Sequence, residues 1–271
     1  MQRIFSFFYF KKATLHYSQY GNGEKVILLF HGFGLDHQLF YPLEELLKEE
    51  YTIFNFDIFF HGNSQWKYGS KPITVDFWKE MLGAFLSTNK INTFSLLGFS
   101  IGCKHVLPAL VDYPSRIDKV ILIASDGIKT SIWYKLSVHS YFSRIIFKQL
   151  VLKPGYFHSF IKAINFFGIA PKESIRFASS QLTSKEQRNR VYFTWVAYRK
   201  LKLNPQKIID AINEHQIPVE IYLGKHDRII SYEKLNHFIT HLKTVKVELL
   251  EAGHSNLVSE VVKKLKKERR P

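Results

Sequence analysis

The apolar positions along the chain fall into two rhythms. Short apolar stretches at residues 26–30 (VILLF), 51–56 (YTIFNF), 94–97 (FSLL), 120–124 (VILIA), 219–223 (VEIYL) and 246–250 (KVELL) predict strands, the most continuous of them buried on both faces. Between them, apolar residues recur with helical spacing at 37–48, 74–88, 101–112 and 232–241, and a last helix starts near Ser255 or Asn256. Strand and helix alternating in this way predict an α/β protein with a doubly wound, mostly parallel sheet and right-handed crossovers. At the amino end, MQRIFSFFYF reads as an edge strand followed by a second strand over 14–20, with Gly21-Asn22-Gly23 as the turn. Lys11-Lys12 cuts the apolar run short, and no small-residue cleavage site follows, so a signal sequence is not expected.

The alternation lapses between residues 128 and 212. Helical, aromatic-rich stretches broken at Pro154-Gly155, Gly168 and Pro171 replace it. The expected organisation is therefore a core of residues 1–127 and 213–271 with a helical insertion over 128–212, within a length that suits one large domain. Charge sharpens the division. The net charge is +15, and residues 128–212 carry fifteen Lys and Arg against only Glu173, Glu186 and Asp210. The tail from Lys263 to Arg270 adds six basic residues against Glu268, so the rest of the chain is slightly acidic. One cysteine, Cys103, excludes an internal disulfide framework or a cysteine-rich metal site and favours a reducing, cytoplasmic compartment.

Candidate chemistry begins at 98-GFSIG-102. Ser100 lies between a predicted strand and a predicted helix, and a tight turn there needs small residues on both sides, as Gly98 and Gly102 supply. The turn sets the hydroxyl at a helix N-terminus, where the dipole favours developing negative charge. A serine hydroxyl is a weak nucleophile at neutral pH and needs a base, which in turn needs an orienting acid. Among twelve histidines, His254 in EAGHSN stands just past a strand, as Asp227 does in LGKHDRII. Both would project from carboxyl ends of neighbouring strands, where open α/β sheets bind ligands. Asp126 in ASDGI is the competing acid, with a turn-forming Asp-Gly as its plainer role. Oxyanion stabilisation needs two backbone N–H groups, expected from Ile101 and from Phe33 in the loop HGFG.

Together these motifs resemble the α/β-hydrolase superfamily, over nearly the whole chain: HGFG, then 57-DIFFHGNS-64, GFSIG, a helical insertion, HDRI and GH, with the nucleophile, acid and base in that order. Phe60 stands where the family's Asp-x-x-Gly-His-Gly-x-Ser loop has glycine, which implies altered loop packing. Serine at the nucleophile position argues against the haloalkane dehalogenase and epoxide hydrolase branches, which use Asp. The resemblance implies that the insertion is a cap roofing the site, with no metal or cofactor required. Its aromatic residues, Trp133, Tyr134, Tyr141, Phe142, Phe147, Phe166, Phe167, Phe177, Tyr192, Phe193, Trp195 and Tyr198, are expected to divide between helix packing and an apolar pocket.

The expected substrate is a small-to-medium carboxylic ester with a hydrophobic portion. Phe99, beside the nucleophile, and Lys104 are the substrate-binding candidates. In the SHCHC synthase of menaquinone synthesis, a lyase of this superfamily, an arginine at the offset of Lys104 handles a carboxylated substrate; the plainer reading of Lys104 is a solvent-facing helix lysine. Two rivals to the esterase follow: a lyase or C–C bond hydrolase on the same residues, and a non-catalytic ligand binder on a hydrolase scaffold. The basic insertion and tail raise an anionic membrane surface as a partner, with peripheral attachment, while no nucleic-acid motif accompanies the charge.

Overall fold

The structure is a computed structural model that describes residues 2–129, 132–153, 155 and 182–269. Among them the chain forms two compact units. The first comprises Met1–Lys67, Thr74–Lys129 and Leu201–Pro271, and the second Tyr68–Ile73 and Thr130–Lys200.

The first unit is built on one sheet of nine strands: β1 (Ile4–Phe10), β2 (Ala13–Tyr20), β3 (Lys25–Phe30), β4 (Tyr51–Phe56), β5 (Gln65–Trp66), β6 (Phe94–Phe99), β7 (Ile117–Ile123), β8 (Val219–Gly224) and β9 (Val245–Leu250). Their order is β1-β2-β4-β3-β6-β7-β8-β9, with the two-residue β5 paired to β2. From β4 through β9 every pairing is parallel, and β1, β2 and β5 join antiparallel. Every residue of β6 is buried, and so are the last four of β3, β7 and β8. Those runs read as continuous apolar sequence because helices cover both faces. At the two edges, β1 and β9 contain no buried residue, and β1 is the more exposed.

Helices α1 (Tyr41–Leu47), α2 (Val75–Thr88) and α3 (Cys103–Asp112) connect successive parallel strands. Thr74 caps α2 by accepting from Phe77 N–H at 3.1 Å. Trp78, Met81, Leu82 and Phe85 recur three and four residues apart and form its buried face. Phe85 meets Phe56 edge-on at 5.0 Å, and Phe56 stacks on Phe30 at 5.1 Å, so α2 is seated on the centre of the sheet. Each large side chain buried in this way contributes roughly 1.5–3 kcal/mol. On α3 all residues from Cys103 to Leu110 are buried.

The second unit holds α4 (Ile132–Val138), α5 (Tyr141–Leu152) and α6 (Lys185–Ala197). Phe147 of α5 stacks on Trp195 of α6 at 5.3 Å, and Tyr134 Oη donates to the Trp195 carbonyl at 2.9 Å. Tyr134, Phe147, Tyr192 and Trp195 therefore join helix to helix, and Tyr198 is buried, whereas Tyr141 and Phe142 are exposed. Phe166, Phe167, Phe177, Gly168, Pro171 and Pro154 lie outside the described residues, as does the side chain of Trp133.

Three helices complete the first unit: α7 (Pro205–Glu214), α8 (Tyr232–Thr240) and α9 (Leu257–Glu268). The chain re-enters this unit at Leu201, ahead of the boundary at 213 read from the sequence. The reason is α7, whose buried Ile208, Ile209, Ala211 and Ile212 form a face that packs on α3. The basic tail is helical through Glu268, with Lys264 ion-paired to Glu248 at 3.3 Å and to Glu268 at 3.0 Å. Among the described residues no helix is long and apolar enough to cross a membrane.

Candidate active site

In this sheet β3 has β4 on one side and β6 on the other, so the strand order reverses between β3 and β6. A crevice is expected beyond the carboxyl ends at such a reversal. The loop 31–34 leaves β3 there, and Ser100 leaves β6 there.

Ser100 opens a single turn of 3-10 helix, Ser100–Gly102, that leads into α3. Its φ is +51°, a left-handed conformation that costs a side-chain-bearing residue of order 1–3 kcal/mol. The surroundings enforce it. A Cβ on Gly102 would lie 2.1 Å from the Phe30 carbonyl oxygen and 2.6 Å from that of His31, so the turn is pressed against the backbone leaving β3. Backbone atoms cannot swing aside as a side-chain tip would. Gly102→Ala is therefore expected to lower stability by about 3 kcal/mol or more, the upper end for overpacking. A urea melt within 1 kcal/mol of the parent would show that the turn can move.

His254 and Asp227 reach Ser100 from the loops after β9 and β8. His254 Nδ1 is 2.6 Å from Asp227 Oδ2, and His254 Nε2 is 3.0 Å from Ser100 Oγ. Asp227 is buried, and its other oxygen accepts from the N–H groups of Ile229 at 2.8 Å and Ile230 at 2.9 Å. With one oxygen held by the backbone, the other is aimed at the imidazole. An ionised carboxylate only accepts, so Nδ1 carries the proton and Nε2 is left as the acceptor facing the serine hydroxyl. Asp126, the rival acid, is engaged elsewhere: its carboxylate is 3.6 Å from Lys104 Nζ. Lys104 itself corrects the sequence reading. It is only 3 % exposed rather than solvent-facing, because the α3 face it occupies is covered.

Two peptide planes beside Ser100 are fixed through their carbonyls. The Ser100 carbonyl accepts from Asp126 N–H at 3.2 Å. In a trans peptide C=O and N–H point in opposite directions, so Ile101 N–H is turned away from Asp126. His31 is wholly buried, and burial pulls its pKa down to about 4, so the ring is neutral. Its Nε2 accepts from Ile58 N–H at 3.1 Å, which places the proton on Nδ1, the donor to the Gly32 carbonyl at 2.7 Å. The same plane argument turns Phe33 N–H away from the His31 ring. Gly32 lies close by: a Cβ there would be 3.5 Å from Ser100 Cβ and 2.7 Å from the Phe99 ring. Phe99, a substrate-contact candidate, is buried, with its ring centroid 5.2 Å from that of His254.

A second cluster lies behind the loop 31–34 and joins Asp57, the first residue of the loop DIFFHGNS, to His16 and His37, which no motif of the sequence marks. Asp57 Oδ1 accepts from His37 N–H at 2.9 Å and lies 2.8 Å from His37 Nδ1. Oδ2 lies 2.8 Å from His16 Nδ1 and accepts from Asn63 N–H at 3.0 Å. Gly62 closes this loop with φ +49°, and a Cβ there would strike the Asp57 carboxylate at 1.9 Å. Two residues before it, Phe60 takes φ +68°, which is why glycine suits that position and why phenylalanine is strained there. His16, His37 and Asp57 are the one set of three metal-competent side chains found among the described residues. All acceptor directions of the carboxylate already hold N–H donors, so the set fits a proton-bridged network better than a metal site.

Comparison with known proteins places these features in context. The sequence profile of the alpha/beta hydrolase fold matches residues 25–261. A pimeloyl-[acyl-carrier protein] methyl ester esterase of Shewanella oneidensis is 34% identical over 113 residues, which is 41% of this chain and 38% of that relative. The match thus spans well under half of the relative's length. Among solved structures, an enol-lactonase from Burkholderia xenovorans superposes with a TM-score of 0.70 at 15% identity, covering 97% of this chain and 98% of its own. A thermophilic esterase from Thermogutta terrifontis gives 0.69 at 18% identity, covering 99% and 97%. At such identities the structural likeness concerns the fold.

Proposed function

The chain belongs to the α/β hydrolase fold family, and on that premise we propose that it is a serine esterase, cleaving a small-to-medium carboxylic ester with a hydrophobic portion through an acyl-enzyme. The observation that carries this reading is the line Asp227–His254–Ser100, with its contacts of 2.6 and 3.0 Å. Ser100 Oγ attacks the ester carbonyl carbon while His254 Nε2 takes its proton, and Asp227 steadies the imidazolium. The N–H groups of Ile101 and Phe33 receive the oxyanion, both turned by their anchored carbonyls before substrate arrives. Collapse of the tetrahedral intermediate expels the alcohol, which takes the proton from His254. Water then attacks the acyl-enzyme by the same route and releases the acid.

The similarity to a methyl ester esterase supports an ester as the bond and an acyl chain as the hydrophobic portion. The engagement of the Lys104 ammonium by Asp126 weakens the lyase alternative, which needs that cation for a substrate carboxylate. The hydrogen-bonded line Asp227–His254–Ser100 counts against the reading as a non-catalytic binder.

The test is turnover of p-nitrophenyl esters of graded acyl length, alongside labelling with a fluorophosphonate. Turnover and a single labelled peptide containing Ser100 are expected. An unlabelled, inactive but folded protein would overturn the reading.

A further inference from the structure

Helix α5 is apolar on two sides. Phe147 faces α6, stacked on Trp195 at 5.3 Å, and Val151 is buried. The opposite side is turned to solvent: Tyr141 is 68% exposed, Phe142 77%, Ile145 41% and Ile146 61%. These four lie within two turns, at helical offsets of one, three and four residues, and so form one continuous face. Leu136 of the preceding helix, also exposed, adds to the apolar surface of this unit. A helix that is apolar on two opposite sides ordinarily has a partner on each. Contiguous exposed apolar residues of this kind mark contact surfaces.

The charge around the face indicates what covers it. Lys148 and Lys153, both exposed, stand on α5 and just beyond its end. From Gly127 to Lys172 the sequence contains seven Lys and Arg and not one Asp or Glu. Among the described residues of α5 the charged ones, Arg144 and Lys148, are both cations, which matches a surface that is apolar inside and anionic at its rim.

We propose that the outward face of α5 docks on an anionic lipid surface, with Phe142, Ile145 and Ile146 inserted among the acyl chains and Lys148 and Lys153 at the headgroups. The helix lies in the plane of the interface, held from behind by α6. This attachment is independent of the reaction assigned to Ser100.

Flotation of the full chain with vesicles tests it. Vesicles of phosphatidylcholine with about one third phosphatidylglycerol are expected to bind the wild-type protein at least 10-fold more than pure phosphatidylcholine, and high salt is expected to weaken the binding. The doubly substituted Phe142→Ser, Ile146→Ser protein is expected to lose at least 10-fold in partitioning, and Lys148→Glu with Lys153→Glu to lose the preference for anionic vesicles. Thermal melts by circular dichroism establish that both variants are folded. Because the whole chain carries +15, charge alone could draw it to such vesicles. Equal partitioning of the Phe142→Ser, Ile146→Ser protein would overturn the proposal, as would absence of wild-type binding.

Discussion

Ser100→Ala lowers kcat/KM for a short p-nitrophenyl ester by about 10⁴–10⁶ and leaves the fold intact. The expectation follows from the chemistry: without Oγ there is no acyl-enzyme, and only the N–H donors and binding remain to assist direct attack by water. Asp227→Asn is the more discriminating variant. An amide in that place retains size and can still accept the Ile229 and Ile230 N–H groups on Oδ1. Its NH₂ would then face His254 Nδ1 and force the proton onto Nε2, the wrong tautomer for receiving the serine proton. A fall of about 10⁴ in kcat with little change in KM is expected. Because the fault is the tautomer, the residual rate should rise with pH as more Ser100 ionises unaided. A loss of tenfold or less, measured on folded protein, would mean that Asp227 does not orient the base.

Much of this site was legible because its residues announce themselves locally. Ser100 carries its glycines beside it, and Gly102 is required by a carbonyl oxygen 2.1 Å from where a Cβ would be. The strands that lead to Ser100 and Asp227 are apolar runs broken only by Ser95 and Glu220, because parallel strands covered on both faces have little room for a polar side. His254 follows β9, a half-exposed edge strand, and was singled out by its place just past a strand. What escaped is information that exists only between distant segments. His16 lies in the middle of β2, 41 residues before Asp57, within no motif. Burial of Lys104 depends on how the end of β7 passes α3, and a helical wheel of α3 alone cannot supply the partner. The first unit resumes at Leu201 rather than at 213 for a related reason. Helix α7 has the same period as the helices of the insertion, and only its packing on α3 assigns it to the first unit.

Asp57→Ala is expected to cost about 3–5 kcal/mol of stability, the range for removing one partner from a buried ionic network. Four donors converge on this carboxylate, and deleting it strands the three from His16 and His37 in the interior beneath Phe5 and Phe7, whose rings cover His16. The dependence on pH separates this cause from simple loss of packing. Burial works against a charge on His37, but the hydrogen bond and charge of Asp57 outweigh it and raise the pKa above the ordinary value of about 6.5. A raised folded-state pKa contributes stability that is fully present below about pH 6.5 and fades as pH rises through the folded-state value. Burial likewise opposes the charge on Asp57, yet the hydrogen bonds from His37 and Asn63 hold its pKa well below the usual carboxylate range. Its contribution is therefore present above the unfolded value near 3.9 and lost only in stronger acid. Between about pH 4 and 6.5 both contributions stand. In Asp57→Ala burial still opposes a charge on His37 and only the weaker fields of Asp36 and Glu44 favour it, so protonation loses most of its support. The destabilisation should consequently be greater at pH 5.5 than at pH 8, as read from urea unfolding of parent and variant at each pH. Asp57→Asn should show the same trend with a smaller loss, because the amide oxygen still accepts. A pH-independent difference would assign the effect to the cavity and the stranded backbone donors, and would remove His37 as a charged partner.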